Sequence, residues 1–528
     1  KAFSAGLFHG EPVGMAAEKL AYTPPSRFAS ADDLRAELVR QRRLHAPFLR
    51  NRAPTLPPAR IAVPLETFDW RLETPEDRSD FGATMAGAGA WQQVRIPHFG
   101  GPVKRAVAYY RTGFTVTPEI LAKGALFIRF KGVDYKAHVF INTAYLGSHE
   151  GFFAPFEFDF TAYARPGLNT LLVKVENDAI CMGNASWGEG SDKYEGDKIY
   201  AATGPGYDDP EVGWHHCPPG MGIYQDVVVE ARAPVHIHDL FIRPLPGLNK
   251  VEIWVELWNC DILRCEAELT IAVHGRNFAR TVMRPRRFAL PGQLGPGFNQ
   301  FRFTIDLPGA RLWTPAKPWL YQAQVCVFGA DGRATDNYAR QFGMRSFTME
   351  TERSPRGELF LNGNAIRLRG ANTMGFEQQD VMRRDRRQLI DDILLAKICN
   401  MNFWRLTQRP VQDEVYEYCD RLGLMTQTDL PLFAVMRRNQ FSEGARQAGE
   451  MERLIRAHPC AIMVTYINEP SWEGPDSRSW RHLTRHELES FFTACDQSVK
   501  LANPDRLIKA VDGDYNPPGP GLPDNHCY

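Results

Sequence analysis

The chain has 528 residues, with Lys plus Arg at 62 and Asp plus Glu at 62, so its formal net charge is zero. No global field recruits nucleic acid or an anionic membrane, and neither is expected as a partner. Hydrophobic residues at 44% and charged residues at 23% match a folded globular protein, and no apolar run approaches the ~18 residues of a membrane span. At roughly 100 to 200 residues per domain, the length predicts about three domains. The ten cysteines are scattered without a C-x-x-C pair, so neither zinc nor a thioredoxin-like site is signalled. The sequence opens at Lys1 without an apolar leader, which leaves localisation unread between cytoplasm and a secreted or periplasmic compartment.

Residues 1–66 are rich in Pro, Ala and Arg, with one basic helical stretch at 31–45, and read as a surface extension. From 67 to 232 short β-type runs follow one another: 108–116, 125–130, 138–141, 170–175 and 226–230. That spacing predicts an antiparallel sandwich. Between its last two strands runs a long excursion, 180–223, in which Asp208, Asp209 and Glu211 stand beside Trp187 and Trp214. Its plain reading is a solvated acidic loop; its functional reading is a loop that reaches a binding site, with a calcium site as a third. Residues 233–347 predict a second sandwich of immunoglobulin-like size, with strands at 251–257, 267–273, 299–305 and 322–328.

From 348 to 528 apolar runs alternate with helical segments. Strands at 366–371, 402–406, 424–429, 462–467 and 507–511 enclose helices at 384–398, 412–422, 442–457 and 485–501. The alternation predicts a parallel sheet with right-handed crossovers. A (β/α) barrel closes with about eight strands, and five would leave two bare edges. The chain is therefore expected to be the N-terminal part of a longer enzyme, inactive when expressed alone. An open sheet is the alternative, but no G-x-G-x-x-G or Walker-type phosphate loop supports it.

The chemistry concentrates where these strands end. The fourth stops in Asn468-Glu469-Pro470, the second in Arg405-Leu406-Thr407-Gln408-Arg409-Pro410 and the third in Thr428-Asp429. In a barrel the C-terminal strand ends form the active-site face, so three consecutive polar ends point to a substrate pocket. Arg405 with Asp429 also reads as an ordinary structural ion pair.

The ordered segments Trp91, Val94-Arg95-Ile96-Pro97-His98, Phe130-Lys131-Gly132-Val133-Asp134 and Gly151-Phe152-Phe153-Ala154-Pro155 lie in the first sandwich. Leu312-Trp313-Thr314-Pro315 and Phe342-Gly343-Met344-Arg345 lie in the second, and Arg369-Gly370-Ala371-Asn372 and His458-Pro459 in the third region. Together they resemble glycoside hydrolase family 2, the β-galactosidases, β-glucuronidases and β-mannosidases, over about residues 68–528. The resemblance implies a jelly-roll sugar-binding-like domain, an immunoglobulin-like sandwich and a (β/α)8 TIM barrel of which about five strands are present. It also implies an exo-acting enzyme that removes a terminal sugar from a β-linked oligo- or polysaccharide by a retaining, two-carboxylate displacement. Glu469 matches the acid/base, Asn468 the residue that holds the 2-hydroxyl and Arg405 the cation beside the nucleophile. The nucleophile itself is expected beyond Tyr528. Asp429, Gln408, Asn372 and Trp472 are further expected sugar contacts, as are Asp208, Asp209 and Trp214 of the excursion.

The chain also departs from the family. Gln408-Arg409-Pro410 replaces a His-Tyr-Pro triplet, Thr373-Met374-Gly375-Phe376 replaces a His-Glu pair after Asn372, and 431–436 lacks the metal-site carboxylate and His. A catalytic magnesium site and galactose as the sugar are both put in doubt. No cofactor is expected, with a structural calcium or sodium ion as the one exception, and the partner is a carbohydrate, with a homo-oligomer allowed. Because no nucleophile can be named, a carbohydrate-binding protein with a degenerate glycosidase fold stays open as the rival.

Overall fold

The computed structural model of the chain describes residues 28–102, 104–180, 196–200, 220–353, 356–373, 375–470 and 482–513. The first sandwich packs a six-stranded sheet on a four-stranded one. Alternation along Gly167–Asn177 sends Leu171, Val173 and Val175 inward, where they meet Ile128 and Phe130 of the facing sheet. The edge of the four-stranded sheet is Ile61–Leu65, paired antiparallel with Val227–Arg232. The sequence reading placed this strand in the extension. Pro64 obscured it, yet at a sheet edge a proline costs no ladder bond.

The helix of the expected surface extension is also tied down. Helix Ala31–Leu49 is capped by Ser30, whose hydroxyl accepts from the Asp33 N–H. Its Arg42 pairs with Asp391 on a helix of the third domain, and Phe48 packs on Trp319 of the second, with ring centroids 5.1 Å apart.

The second sandwich sets Val235–Pro244, Lys250–Asn259 and Gly297–Asp306 against a four-stranded sheet that includes Ala267–Gly275 and Tyr321–Gly329. Its core is β-branched, with Ile253, Val255, Ile271, Val273 and Val325 fully buried. It docks on the third domain through Trp313, whose indole N–H donates to the Asp420 carbonyl at 2.8 Å. Gly423 makes that approach possible: it stands at φ 74, and a Cβ there would lie 2.4 Å from the Pro315 carbonyl oxygen.

The third domain holds five parallel strands in sequential order: β1 (Gly370–Thr373), β2 (Phe403–Leu406), β3 (Met425–Asp429), β4 (Ala461–Thr465) and β5 (Leu507–Ile508). The long helices between them are α1 (Arg386–Ile398), α2 (Asp413–Leu422), α3 (Phe441–Ile455) and α4 (Arg485–Ala502). Past β4 and β5 the pairing resumes between Ile467–Asn468 and Val511–Asp512. Five parallel strands in sequential order with helical crossovers are the arrangement of a TIM barrel, and β3 and β4 are buried along their whole length.

One strand differs from expectation. The run at 366–371 splits, because Asn364–Ile366 folds back on Leu359–Leu361 as a hairpin and β1 begins only at Gly370. The Asn362-Gly363 turn has both residues left-handed, φ 54 and 77, the geometry that matches strand twist in a two-residue hairpin.

His458, just before β4, is buried and holds Asp420 Oδ2 through Nδ1 at 2.7 Å and Asp413 Oδ1 through Nε2 at 3.0 Å. Burial lowers its pKa, but the two carboxylates outweigh that and raise it to about 9. A raised histidine contributes stability that is fully present below its unfolded value, near 6.5, and lost as pH rises through the folded value. The difference corresponds to an upper bound of about 3 kcal/mol. Urea unfolding of the wild-type chain is therefore expected to show stability falling between pH 6.5 and about 9. His458→Gln should be less stable at pH 6.5 and show a much flatter profile; an unchanged slope would contradict the assignment.

Candidate active site

Arg405, the third residue of β2, lies at the C-terminal end of its strand, and six polar side chains converge around it. Its Nε and Nη2 donate to Asp429 Oδ2 at 2.9 and 2.6 Å, and Nη2 also donates to Asn468 Oδ1 at 2.6 Å. On its other side Nε lies 3.0 Å from Asp512 Oδ2. Gln427 closes the ring, its amide nitrogen sharing two hydrogens among Asp429 Oδ1 (3.1 Å), Thr465 Oγ1 (3.0 Å) and Asp512 Oδ2 (2.5 Å). Lys509 meets the second oxygen of Asp512 at 3.2 Å. All except Lys509 are buried, and the cluster sets two cations against two carboxylates.

This network fixes atoms as well as residues. A guanidinium can only donate, so the Asn468 atom facing Arg405 is its oxygen, and the amide N–H₂ is left as the donor. The Asn468 backbone is gripped as well, its N–H donating to the Leu432 carbonyl at 3.0 Å and its carbonyl accepting from Ala434 at 2.9 Å.

Glu469 follows at φ 48, a left-handed conformation unusual outside glycine, and its N–H donates to the Asp512 carbonyl at 2.7 Å. Gln408, after β2, has φ 59, and Ala434, in the loop after β3, has φ 57. Sharp left-handed bends thus lie beyond three neighbouring strands on one face. Such backbone strain collects at functional sites, where the surroundings hold it in place.

The Gln408 N–H donates to Asp429 Oδ2 at 3.0 Å, while its buried Oε1 has no hydrogen-bond partner among the described residues. Arg409 turns fully inward, paired with Glu377 and donating to the carbonyls of Thr373 and Thr407 at 3.0 and 2.8 Å.

Arg405, Asp429, Asn468 and Gln408, expected from the sequence, are brought together, and Glu469 sits beside them. Asn372 is opposite Arg405 in the β1–β2 register but is exposed and takes no part in the network. Trp472, Asp208, Asp209 and Trp214 lie outside the described residues. Gln427, Thr465 and Asp512 were not anticipated as site residues. Gln427 was readable, because it stands two residues before Asp429 and must share its face of β3.

The described end of the excursion does approach this face. Asp197 is 3.0 Å from Arg437, and the amides of Asn439 and Gln440 donate to Asp197 Oδ2 at 2.5 Å and to its carbonyl at 3.0 Å. These three partners belong to the loop that follows β3. Next to Asp197, Lys198 reaches back into the jelly roll, where its buried ammonium lies 2.5 Å from Asp134 and donates to Asn177 at 2.9 Å. Burial raises the Asp134 carboxyl to about 6 against the pull of Lys198. Among the described residues no group of three or more His, Cys, Asp or Glu is arranged to hold a metal ion.

Comparison with known proteins places each domain. The model described as "Glycosyl hydrolases family 2, sugar binding domain" matches residues 93–202, "Glycosyl hydrolases family 2" matches 235–345, and "Glycosyl hydrolases family 2, TIM barrel domain" matches 354–486. A β-galactosidase of Clostridium acetobutylicum is 25% identical over 351 residues, 66% of this chain and 34% of that protein. In structure, Bacteroides uniformis β-glucuronidase 2, covalently bound to cyclophellitol-6-carboxylate aziridine, aligns with a TM-score of 0.65 at 20% identity. That alignment covers 86% of this chain and 52% of that one. The β-D-mannosidase of Dictyoglomus thermophilum aligns with a TM-score of 0.68 at 16% identity, over 89% and 60%. These structural likenesses establish the fold. The chain spans about a third of the length of the curated relatives it matches.

Gln427→Glu tests the network directly, since it keeps the size of the side chain but faces Asp429 and Asp512 with a third carboxylate. At pH 7.5 the variant should lose about 2–4 kcal/mol of stability in urea unfolding, the cost of an unsatisfied charge in a buried polar cluster. The difference from wild type should narrow toward pH 5, where the new carboxyl takes up a proton and donates again. A variant as stable as wild type at pH 7.5 would show that Gln427 does not hold the two acids together.

Proposed function

The chain belongs to glycosyl hydrolase family 2, and from that premise we propose that it serves an exo-acting retaining β-glycosidase, with Glu469 as the acid/base. The observation that carries this reading is the end of β4, where Asn468 is locked by Arg405 and Glu469 is bent out of the strand onto the barrel's C-terminal face. In the first step the Glu469 carboxyl gives its proton to the leaving glycosidic oxygen. In the second its carboxylate takes a proton from the water that releases the sugar. The Asn468 amide N–H₂ donates to a hydroxyl of the sugar, and Gln408 Oε1 accepts from another.

Retention requires a second carboxylate about 5–5.5 Å from the first, on the opposite face of the ring. Asp429 and Asp512 do not suit that role. Each already accepts from Arg405 and Gln427, and their charge is what keeps the guanidinium in place. The attacking carboxylate is therefore assigned to none of the described residues. The excursion is read as a wall of the sugar site, supported by the Asp197 contacts to the loop after β3. Any structural cation would belong to its acidic stretch.

The test is Glu469→Gln in the full-length protein, assayed on a panel of nitrophenyl glycosides and on natural oligosaccharides. Hydrolysis of poor leaving groups should fall by about 10²–10⁴-fold, while activated aryl glycosides, which need no protonation, should lose far less. Equal losses on both would overturn the assignment. Binding of sugar without turnover of any substrate would favour a carbohydrate-binding protein instead.

A further inference from the structure

Away from the candidate active site, a cavity of about 450 Å³ opens where the jelly roll, the second sandwich and the barrel meet. Six of its lining residues are Arg or Lys and four are Asp or Glu. Four of the cations are neutralised: Arg60 by Asp336 (2.7 Å), Arg232 by Glu157 (2.5 Å), Lys131 by Glu414 (2.9 Å) and Arg453 by Glu256 (2.5 Å). The wall's acids are engaged too, Asp239 by Arg456 at 2.6 Å, Asp413 by His458 at 3.0 Å and Glu450 by Arg446 at 2.5 Å.

Two guanidinium groups are left over. Arg129, on Ala125–Phe130 of the jelly roll, stands across the strand pair from Glu157, which Arg232 already holds with both of its terminal nitrogens. Arg340, on Ala334–Phe342 of the second sandwich, lines the same cavity beside Tyr338, and although the charges of Asp239 and Asp413 raise its pKa, neither carboxylate is in ion-pair contact with it. Neither forms an ion pair among the described residues. A planar fork of N–H donors in a recessed, partly desolvated site is the arrangement that recognises carboxylate and phosphate groups. Here two such forks come from different domains and share one cavity.

We propose that this junction is an oxyanion site, in which Arg129 and Arg340 together hold a phosphate or carboxylate group carried by a small ligand. The ligand would cross-link the jelly roll to the second sandwich and so stabilise their docking. Gln412 and Asp413 also line the cavity, at the end of the loop that begins with Gln408. The occupant would therefore sit behind a loop that frames the candidate active site, though the proposal stands independently of the glycosidase reading.

The experiment titrates inorganic phosphate, and separately sodium glucuronate, into the full chain, with sodium chloride at matched ionic strength as reference. Calorimetry reads binding and the midpoint of thermal unfolding. Expected are saturable binding of one of the two probes at one site per chain and a rise in the midpoint that chloride does not produce. Binding should weaken at least tenfold in Arg129→Gln and in Arg340→Gln. Preference for phosphate identifies a phosphate-bearing ligand, and preference for glucuronate a carboxylate. Arg129→Lys and Arg340→Lys retain the charge without the fork; if the Gln variants fail to fold, these should still lose several-fold in affinity. No saturable binding of either probe, or binding unchanged by substitution of either arginine, overturns the proposal.

Discussion

A buried guanidinium organises the functional face of this molecule. Taking Arg405 out of water costs several kcal/mol unless its donors are met, and it is met by two carboxylates and an amide oxygen. Those three acceptors come from β3, from the segment just past β4 and from the segment just past β5. Satisfying one charge therefore fixes the relative height of three consecutive strand ends. The same arrangement orients the Asn468 amide. It also engages both carboxylates of the cluster, Asp429 and Asp512.

Charged contacts likewise hold the domains around that face, but with a different division of labour. Arg60 ties the segment before the jelly roll to the second sandwich through Asp336, and Arg456 ties α3 to the second sandwich through Asp239 and Glu256. Hydrophobic burial supplies the bulk of the stability inside each core, whereas these ion pairs select one docking geometry. That geometry brings Asp197 of the jelly-roll excursion onto the loop after β3. The buried Lys198 beside it ties residues 196–200 to the jelly roll, since its ammonium would otherwise be left unpaired in the interior.

The sequence determined a good deal by itself. Period-2 runs and β-branched cores specify the two sandwiches, because a half-buried strand must alternate. The change to strand and helix alternation after residue 348 specifies a parallel sheet, because crossovers of that length carry a helix. Within it, Asn468-Glu469-Pro470, Arg405 and Asp429 are legible as strand-end polar residues, and strand ends on one side of a barrel face one pocket. Local signals failed where tertiary contacts decide. Pro64 hid an edge strand, the Asn362-Gly363 hairpin broke what looked like the first barrel strand, and the helix of the N-terminal stretch carried no sign that Arg42 would find Asp391.

What only the tertiary structure decided is the pairing of charges distant in sequence. Arg405 meets Asp512 across more than a hundred residues, Asp197 meets Arg437 across more than two hundred, and Arg409 turns inward to pair with Glu377. Periodicity reports which face a side chain takes, since that depends on its neighbours along the chain. It says nothing of which partner waits on the next strand or the next domain, because that depends on the three-dimensional path of the whole backbone. The position of Arg129 and Arg340 on one cavity, without a contact ion pair among the described residues, belongs to the same class, visible only once the ion pairs around that cavity have been assigned.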